Sequence, residues 1–366
     1  MISGGVAMTF QSNRPWPRNA WYLAAWRDEI RDQPVARTIL SEQVVLFRGA
    51  NGKLAALEDR CCHRAAPLSM GAIVPEGLRC GYHGMVFAAD GRCIEIPGQQ
   101  SIPPQASVRS YPVAEREEFV WIWMGEPAAA DDRHIVAFPP KDALMVGSRQ
   151  CGMLRIRCNY MLLIDNLMDL THIPFVHGNT IGGKAQIDLI DAQVETRRTE
   201  RGVQFTRWTM GHTPPPLFVK VLELEPGVKI DRWQEFEFVA PASVIQCSGG
   251  ARAGRGARQH REQPGALSLR LFHGATPETE NSCFYFWMRA NSIPDDPRSI
   301  EVTLKEIAAV LAQDVAILEG QNDRLRTDPG RMLVDVKNDN LRISARRAVE
   351  RLIAGEETAG RDARSA

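Results

Sequence analysis

The hydrophobic rhythm of the chain changes once. From about residue 20 to 124, apolar residues come in short runs broken by tight-turn residues, a pattern that predicts β-hairpins. The run Thr38–Phe47 is followed by Gly49-Ala50-Asn51-Gly52 and then Lys53–Leu57, which reads as one hairpin. Asp90-Gly91, between Met85-Val86-Phe87 and Cys93-Ile94-Glu95-Ile96, signals another, and Phe119–Met124 (FVWIWM) reads as an aromatic, apolar strand. The segment Gly125–Asp132 loses the pattern and reads as a linker. Beyond it, Tyr160–Thr171 has helical spacing that Pro174 should stop. Strands are predicted at 203–210, 232–239, 243–248, 268–273 and 283–289. A long helix is predicted at 297–325, with Asp296 as N-cap and Pro297 in the first turn. Gly249–Gly265 (GGARAGRGARQHREQPG) is rich in Gly and Arg and reads as a mobile loop. These signals predict a β-rich domain over 15–130, an α+β domain with an antiparallel sheet and helices over 131–354, and a disordered tail over 355–366.

Composition narrows the function classes. Lys+Arg and Asp+Glu are both 44, so no global field attracts nucleic acid or a membrane surface. No apolar run reaches membrane-spanning length, and the N-terminus lacks the basic-then-apolar order of a secretory signal. The expected location is cytoplasmic, with translation starting at Met1 or Met8. There the eight cysteines favour metal ligation or plain packing over disulfides. No internal repeat is visible.

Two constellations carry chemistry. Cys61-x-His63 and Cys80-x-x-His83 are each short enough to reach one metal site from a loop. Two thiolates on one iron and two imidazoles on the other make a Rieske-type [2Fe–2S] cluster, whose potential the neutral imidazoles raise. A structural zinc site or four unrelated core residues are the alternatives. Zinc sites of Cys₂His₂ composition usually pair Cys with Cys and His with His, whereas both pairs here are mixed, which favours the cluster. Gly81, Gly84 and Pro97-Gly98 flank the ligands and would let backbone N–H groups approach the sulfurs. Cys62 should point away, and Cys93, Cys151, Cys158, Cys247 and Cys283 read as small apolar residues.

Further on, Asn166, Asp169 and His172 are spaced three apart, as on one helical face, and His177 follows beyond Pro174. Two imidazoles and one carboxylate are the platform of non-haem Fe(II) oxygenases. Asn166 and Asp169 are candidate catalytic residues, and the Asp169 carboxylate is placed to accept the free N–H of His172. For the ligating carboxylate the candidate is Asp314, on an apolar stripe through Leu304, Ile307, Leu311, Val315 and Leu318. Residue pattern alone leaves open whether Asp314 binds a metal or pairs with an Arg. Asn159, Trp208, Gln246, His273 and Phe286 are candidate substrate-pocket residues, with strand core as the alternative. Arg252, Arg255 and Arg258 would either draw in an aromatic carboxylate or sulfonate or form a solvated loop.

The combination Cys61-x-His63…Cys80-x-x-His83 with Asn166-x-x-Asp169-x-x-His172-x₄-His177 resembles the oxygenase components of Rieske non-haem iron oxygenases. More narrowly, Arg60–Arg64, Ile96–Gln99, Asp165–Asp169, Thr276–Glu280 and Gln313-Asp314 resemble the vanillate O-demethylase and toluenesulfonate methyl-monooxygenase subgroup. The resemblance runs from about Asn19 to Leu352. It implies an N-terminal Rieske β-domain and a C-terminal helix-grip (START-like) domain, with Asp314 as the third iron ligand. It also implies a head-to-tail homotrimer in which Asp169 bridges His83 of one subunit to His172 of the next. Electrons from NADH or NADPH would come through a separate flavin and iron–sulfur reductase, in keeping with the lack of a nucleotide-binding fingerprint here. The implied reaction is O₂-dependent monooxygenation of a small aromatic substrate. O-demethylation of a vanillate-like methoxylated acid, releasing formaldehyde, comes first. Methyl hydroxylation, N-demethylation and ring dihydroxylation are alternatives. A simple Rieske electron carrier would need neither the second His pair nor the long second half.

Overall fold

The computed structural model describes residues 15–138, 149–181, 192–261, 263, 265–292 and 297–365. Met8 and Asp296 lie outside the described residues. The described residues form two compact units, one drawn from 15–137, 276–280 and 353–365, the other from 138–275 and 281–352.

The first unit is built of short antiparallel strands. These are β1 (Trp21–Trp26), β2 (Val35–Ile39), β3 (Glu42–Arg48), β4 (Leu54–Glu58), β5 (Ala72–Val74), β6 (Gly77–Arg79), β7 (Val86–Phe87), β8 (Cys93–Glu95), β9 (Ser110–Tyr111), β10 (Val113–Arg116) and β11 (Phe119–Trp123). They form three sheets, ordered β1-β11-β10, β2-β3-β4-β9 and β5-β6-β7-β8. The run Thr38–Phe47 is not one strand. Leu40 and Ser41 take positive φ (51° and 63°) and reverse the chain, so that Ile39 pairs with Glu42. Neither residue favours that backbone region. Their N–H groups donate to the carbonyls of Pro277 and Glu278 at 2.9 and 2.8 Å, which holds the turn in place. The Gly49–Gly52 hairpin joins β3 to β4 with Arg48 opposite Leu54, and the Asp90-Gly91 hairpin joins β7 to β8. A core of Val45, Phe47, Leu57, Leu68, Leu78 and Phe87 takes in Cys61 and Cys80.

In the second unit, seven strands form one sheet. They are β12 (Gln150–Ile156), β13 (Val194–Arg198), β14 (Gly202–His212), β15 (Ile230–Val239), β16 (Ser243–Arg252), β17 (Leu267–Thr279) and β18 (Ser282–Asn291), ordered β12-β18-β17-β16-β15-β14-β13. Its helices are α1 (Tyr160–Met168), α2 (Ile173–Val176), α3 (Pro216–Val221), α4 (Pro297–Thr327) and α5 (Asn340–Ser365). Alternation along the strands turns Arg232, Gln234 and Phe236 of β15 toward the same side as Gln246 and Ser248 of β16. Asp165 of α1 receives Arg346 of α5 through both Nε and Nη2 (3.0 and 2.5 Å), tying these helices together.

Two expectations need correction. The glycines at 249 and 250 belong to a strand, not a mobile loop, because β16 runs to Arg252 and pairs with β15 and β17 there. A Cβ on Gly249 would lie 2.2 Å from the Trp233 ring and 2.4 Å from the Leu267 carbonyl, so glycine is a packing requirement. The expected disordered tail is also helical, since α5 continues to Ser365. The Glu356 carboxylate accepts the N–H groups of Arg18 and Asn19 at 3.0 and 2.7 Å.

Candidate metal centres

Two loops carry the Cys/His pairs, and they share a backbone pattern. The Ala65 N–H returns to the Cys61 carbonyl at 2.9 Å, and the Gly84 N–H to the Cys80 carbonyl at 3.1 Å. Ala65 and Gly84 both have positive φ (57° and 78°). Each Cys therefore opens a tight loop that presents its His four residues or fewer away. Cys61 and Cys80 are buried, while His63 and His83 are exposed with ring centroids 4.6 Å apart. Gly81 lets the second loop pass against the turn that follows the first, because a Cβ there would lie 2.7 Å from the Met70 carbonyl. Burial pushes the Cys61 thiol up to about 11, and the Cys80 thiol beside it adds to the shift. The Cys61 thiol becomes a thiolate readily only with cationic compensation, which a bound metal centre gives. Desolvation and the neighbouring His63 hold His83 below the ordinary imidazole range, the neutral form a ligand needs. The residues fit a [2Fe–2S] group, two sulfurs inside and two imidazoles at the surface.

The second centre depends on a helix that ends early. α1 stops at Met168, because Asp169 adopts extended φ/ψ (−128°, 108°) and its Oδ1 accepts the Thr171 N–H at 2.8 Å. A 3₁₀ turn over Leu170–His172 follows, and Pro174 sits in the first turn of α2 instead of ending a helix. Asn166, Asp169 and His172 therefore do not share one continuous helical face. The break points both imidazoles at one place. His172 Nδ1–H donates to the Asp169 backbone carbonyl at 2.6 Å, and His177 Nδ1–H donates to Gln313 Oε1 at 2.8 Å. The expected acceptor for His172 was the Asp169 carboxylate, but that group is occupied as a cap and the main chain takes its place. With both Nδ1 atoms committed as donors, both Nε2 lone pairs face Asp314 Oδ1, at 3.8 Å (His172) and 3.0 Å (His177).

The His172, His177 and Asp314 donor atoms lie within 4.8 Å of one another. Asn166 Nδ2 donates to Asp314 Oδ1 at 3.1 Å and so orients the carboxylate. No Arg pairs with Asp314 among the described residues. Burial disfavours charge on His177, but Asp314 and Gln313 outweigh it, and its pKa rises; for His172 burial wins, and its pKa falls. Two neutral-capable imidazoles and one carboxylate on one side of a common point match the facial set of non-haem iron.

This triad opens onto a cavity of about 160 Å³ lined mainly by apolar side chains, among them Leu170, Phe236, Leu271 and Trp287. Of the five expected pocket residues, Gln246 and His273 line it. Three do not. Asn159 caps α1, accepting the Met161 N–H at 2.9 Å. Trp208 packs with Trp233, Ala251, Ala257 and Ala266. Phe286 is fully buried in β18, opposite Met153. Leu304, at the start of the α4 stripe, is 41% exposed, and of the stripe only Ile307 and Leu311 line the cavity.

Residues 156–355 match the vanillate O-demethylase oxygenase C-terminal domain, and residues 20–112 match the Rieske [2Fe-2S] domain. The chain belongs to the Rieske oxygenases of the vanillate O-demethylase family. It is 36% identical to the toluene-4-sulfonate monooxygenase system iron-sulfur subunit TsaM1 of Comamonas testosteroni, covering 93% of this chain and 97% of that one. It is also 36% identical to the vanillate O-demethylase oxygenase subunit of Pseudomonas sp. strain HR199, covering 94% and 97%. The crystal structure of dicamba monooxygenase bound to 3,6-dichlorosalicylic acid superposes with a TM-score of 0.82 at 32% identity, covering 93% and 98%. The protein is thus the oxygenase component of a Rieske non-haem iron monooxygenase. Its cofactors are a [2Fe–2S] cluster and a mononuclear iron, and O₂ and NAD(P)H are its co-substrates, with a separate reductase delivering the electrons. No helix among the described residues is long and apolar enough to cross a membrane.

Several lining groups of this oxygenase carry no motif in the sequence. Tyr285 O–H donates to His273 Nδ1 at 2.7 Å, and Arg232, Ser248 and Arg289 also face the cavity. The period-two pattern of β15, β16 and β18 marks these polar residues as sharing a face, but only the strand register shows that the face is enclosed.

Proposed function

We propose that this oxygenase removes a methyl group from a methoxylated aromatic acid, with His172, His177 and Asp314 holding its catalytic iron and Cys61, His63, Cys80 and His83 holding its cluster. One observation carries the reading: a largely apolar cavity ends on a two-His, one-carboxylate set in a chain that also carries a Rieske domain. When bound, the iron supplies O₂ activation for insertion into a substrate C–H bond. The side chains do the rest. Gln313 and the Asp169 carbonyl fix the two imidazoles, and Asn166 orients Asp314. Leu170, Phe236, Leu271 and Trp287 exclude water and hold the aromatic ring. Insertion of oxygen into an O-methyl group gives a hemiacetal, which collapses to a phenol and formaldehyde. The balance is one O₂, two electrons and two protons in, and phenol, formaldehyde and water out.

The proposal includes a head-to-tail homotrimer in which Asp169 links His83 of one subunit to His172 of the next. Asp169 suits this role because its backbone already holds His172 while its side chain carries the charge. Dependence on NAD(P)H supports a cytoplasmic location. The test is a reductase-coupled screen of methoxylated and methylated aromatic acids with oxygen uptake and formaldehyde scored together. Stoichiometric formaldehyde supports demethylation. A benzylic alcohol without formaldehyde, from a toluene-type substrate only, would replace it with methyl hydroxylation.

A further inference from the structure

We propose that Arg232 is the residue that binds the substrate's anionic group and makes this oxygenase selective for aromatic carboxylates and sulfonates over neutral arenes. The inference rests on the reading of the cavity as the substrate site. Arg232 lies on β15 opposite Gly250 and two residues before Gln234, on the cavity-facing side of the sheet. It is 6% exposed, its Nε has no hydrogen-bond partner, and Nη1 reaches only the Ile181 carbonyl, at 3.5 Å. No carboxylate pairs with it among the described residues. Its guanidinium lies 5.3 Å from the Phe218 ring, which accepts a cation's face but leaves the N–H donors unspent. Gly250 makes room for that ring, since a Cβ there would stand 2.7 Å from Phe218 Cε1.

Much of the remaining polar wall is already committed. Burial keeps His273 near 4, hence neutral, so its hydrogen bonds have one direction. Tyr285 O–H donates to His273 Nδ1, and His273 Nε2–H donates to Gln246 Oε1 at 3.0 Å. Gln246 Nε2 in turn donates to Ser248 Oγ at 2.9 Å. Ser248, the last group in this chain, lines the cavity. Gln234 Oε1 is taken by Arg207 (3.0 and 2.5 Å), and Arg289, whose Nε makes no hydrogen bond, donates from Nη1 to Gln150 Oε1 at 3.2 Å. The one carboxylate lining the cavity among the described residues, Asp314, belongs to the His172–His177 set. Desolvation, with Arg207 nearby, pulls the Arg232 pKa to about 9, so at neutral pH a charge with no counter-ion remains inside. A buried unpaired charge is costly unless a partner arrives, and an arene bearing a carboxylate or sulfonate brings one. The surface arginines expected to act this way do not line the cavity. Arg258 instead sits 5.1 Å over Trp208 and faces Glu195.

The test measures binding of 3-methoxybenzoate, 4-toluenesulfonate and the neutral 3-methoxybenzamide to the holoenzyme by calorimetry, with formaldehyde release from the methoxylated pair. The native protein should bind the benzoate about tenfold or more tighter than the amide. Arg232→Met should lose that preference through the anions alone, and Arg232→Lys should fall between. An Arg232→Met protein that keeps the preference would overturn the assignment. So would equal affinities for benzoate and amide in the native protein, a comparison that needs no variant to fold. An anion preference that depends on Arg232, found without formaldehyde from any methoxylated arene, would refute demethylation and still support this role.

Discussion

Replacing Gln313 with Leu tests the metal site through a residue that touches no metal. His177 is 1% exposed, and Gln313 Oε1 accepts its Nδ1–H at 2.8 Å. Leucine fills similar volume but offers no acceptor. Two effects follow. The buried N–H loses its partner, which costs about 1–3 kcal/mol. The imidazole also loses the bond that fixes its tautomer and aims Nε2 at the site. Loss of such an outer partner weakens metal binding by roughly tenfold to a hundredfold, or about 1.4–2.8 kcal/mol. The assay is chelator competition on anaerobically loaded protein, with iron counted beyond the cluster's two irons. The thiolate-to-iron absorption serves as internal control, since Gln313 is remote in sequence from the cluster loops. Gln313→Leu should release its mononuclear iron at a correspondingly lower chelator concentration with the cluster spectrum unchanged. Gln313→Glu, which keeps an acceptor, should hold iron at least as well as the native chain. A Gln313→Leu midpoint equal to the native one would refute the idea that this bond positions a ligand.

Three further outcomes are expected. Asp314→Ala should empty the mononuclear site while the cluster absorption persists; full iron occupancy would show that another carboxylate is the ligand. Asp169→Asn keeps an oxygen to cap Thr171 but removes the charge. It should retain both metals and lower turnover by about tenfold or more, whereas unchanged turnover would exclude the electron bridge. Asp165→Ala removes the carboxylate that Arg346 engages through two nitrogens and should destabilise the chain by roughly 3–5 kcal/mol in denaturant unfolding. The double variant with Arg346→Met should recover most of that loss, and failure to recover would mean that the pair is not what couples α1 to α5.

The Cys/His and His/His pairs proposed to hold metal stand out in the sequence because each pair is local. Cys61 and His63, or Cys80 and His83, reach one site from a single loop, and loop closure leaves marks such as Gly84 at positive φ. His172 and His177 were readable for the same reason, but the way they converge was not. Helical periodicity carried straight through Asp169, and only the side-chain cap on Thr171 shows why the helix gives way there. A residue with both a cap role and a metal-facing neighbourhood defeats a rule that scores propensity alone. The strands that carry buried apolar runs, such as β11, β15 and β18, are legible in the sequence, and an exposed polar strand is not. β13 is exposed along its whole length and carries Glu195, Arg197 and Arg198, the charged dress of a sheet edge.

Substrate-facing residues were legible least, and the reason is physical. A pocket wall in this fold is one face of β15, β16, β17 and β18, so each lining residue looks like any inward strand position. Trp208 and Phe286 satisfy that pattern and pack in the core, while Gln246 and His273 satisfy it and face the cavity. The separating signal is polar arithmetic. A buried arginine in a sequence otherwise reads as half of an ion pair, and the carboxylate that would complete it can be sought only in the folded chain. For Asp165 the search succeeds, with Arg346 at 2.5 Å. For Arg232 it ends at an aromatic ring and a long contact to a carbonyl. The same residue type thus serves as a structural brace in one place and as an open electrostatic vacancy in the other. Only the second has a reason to bind something the chain does not itself provide.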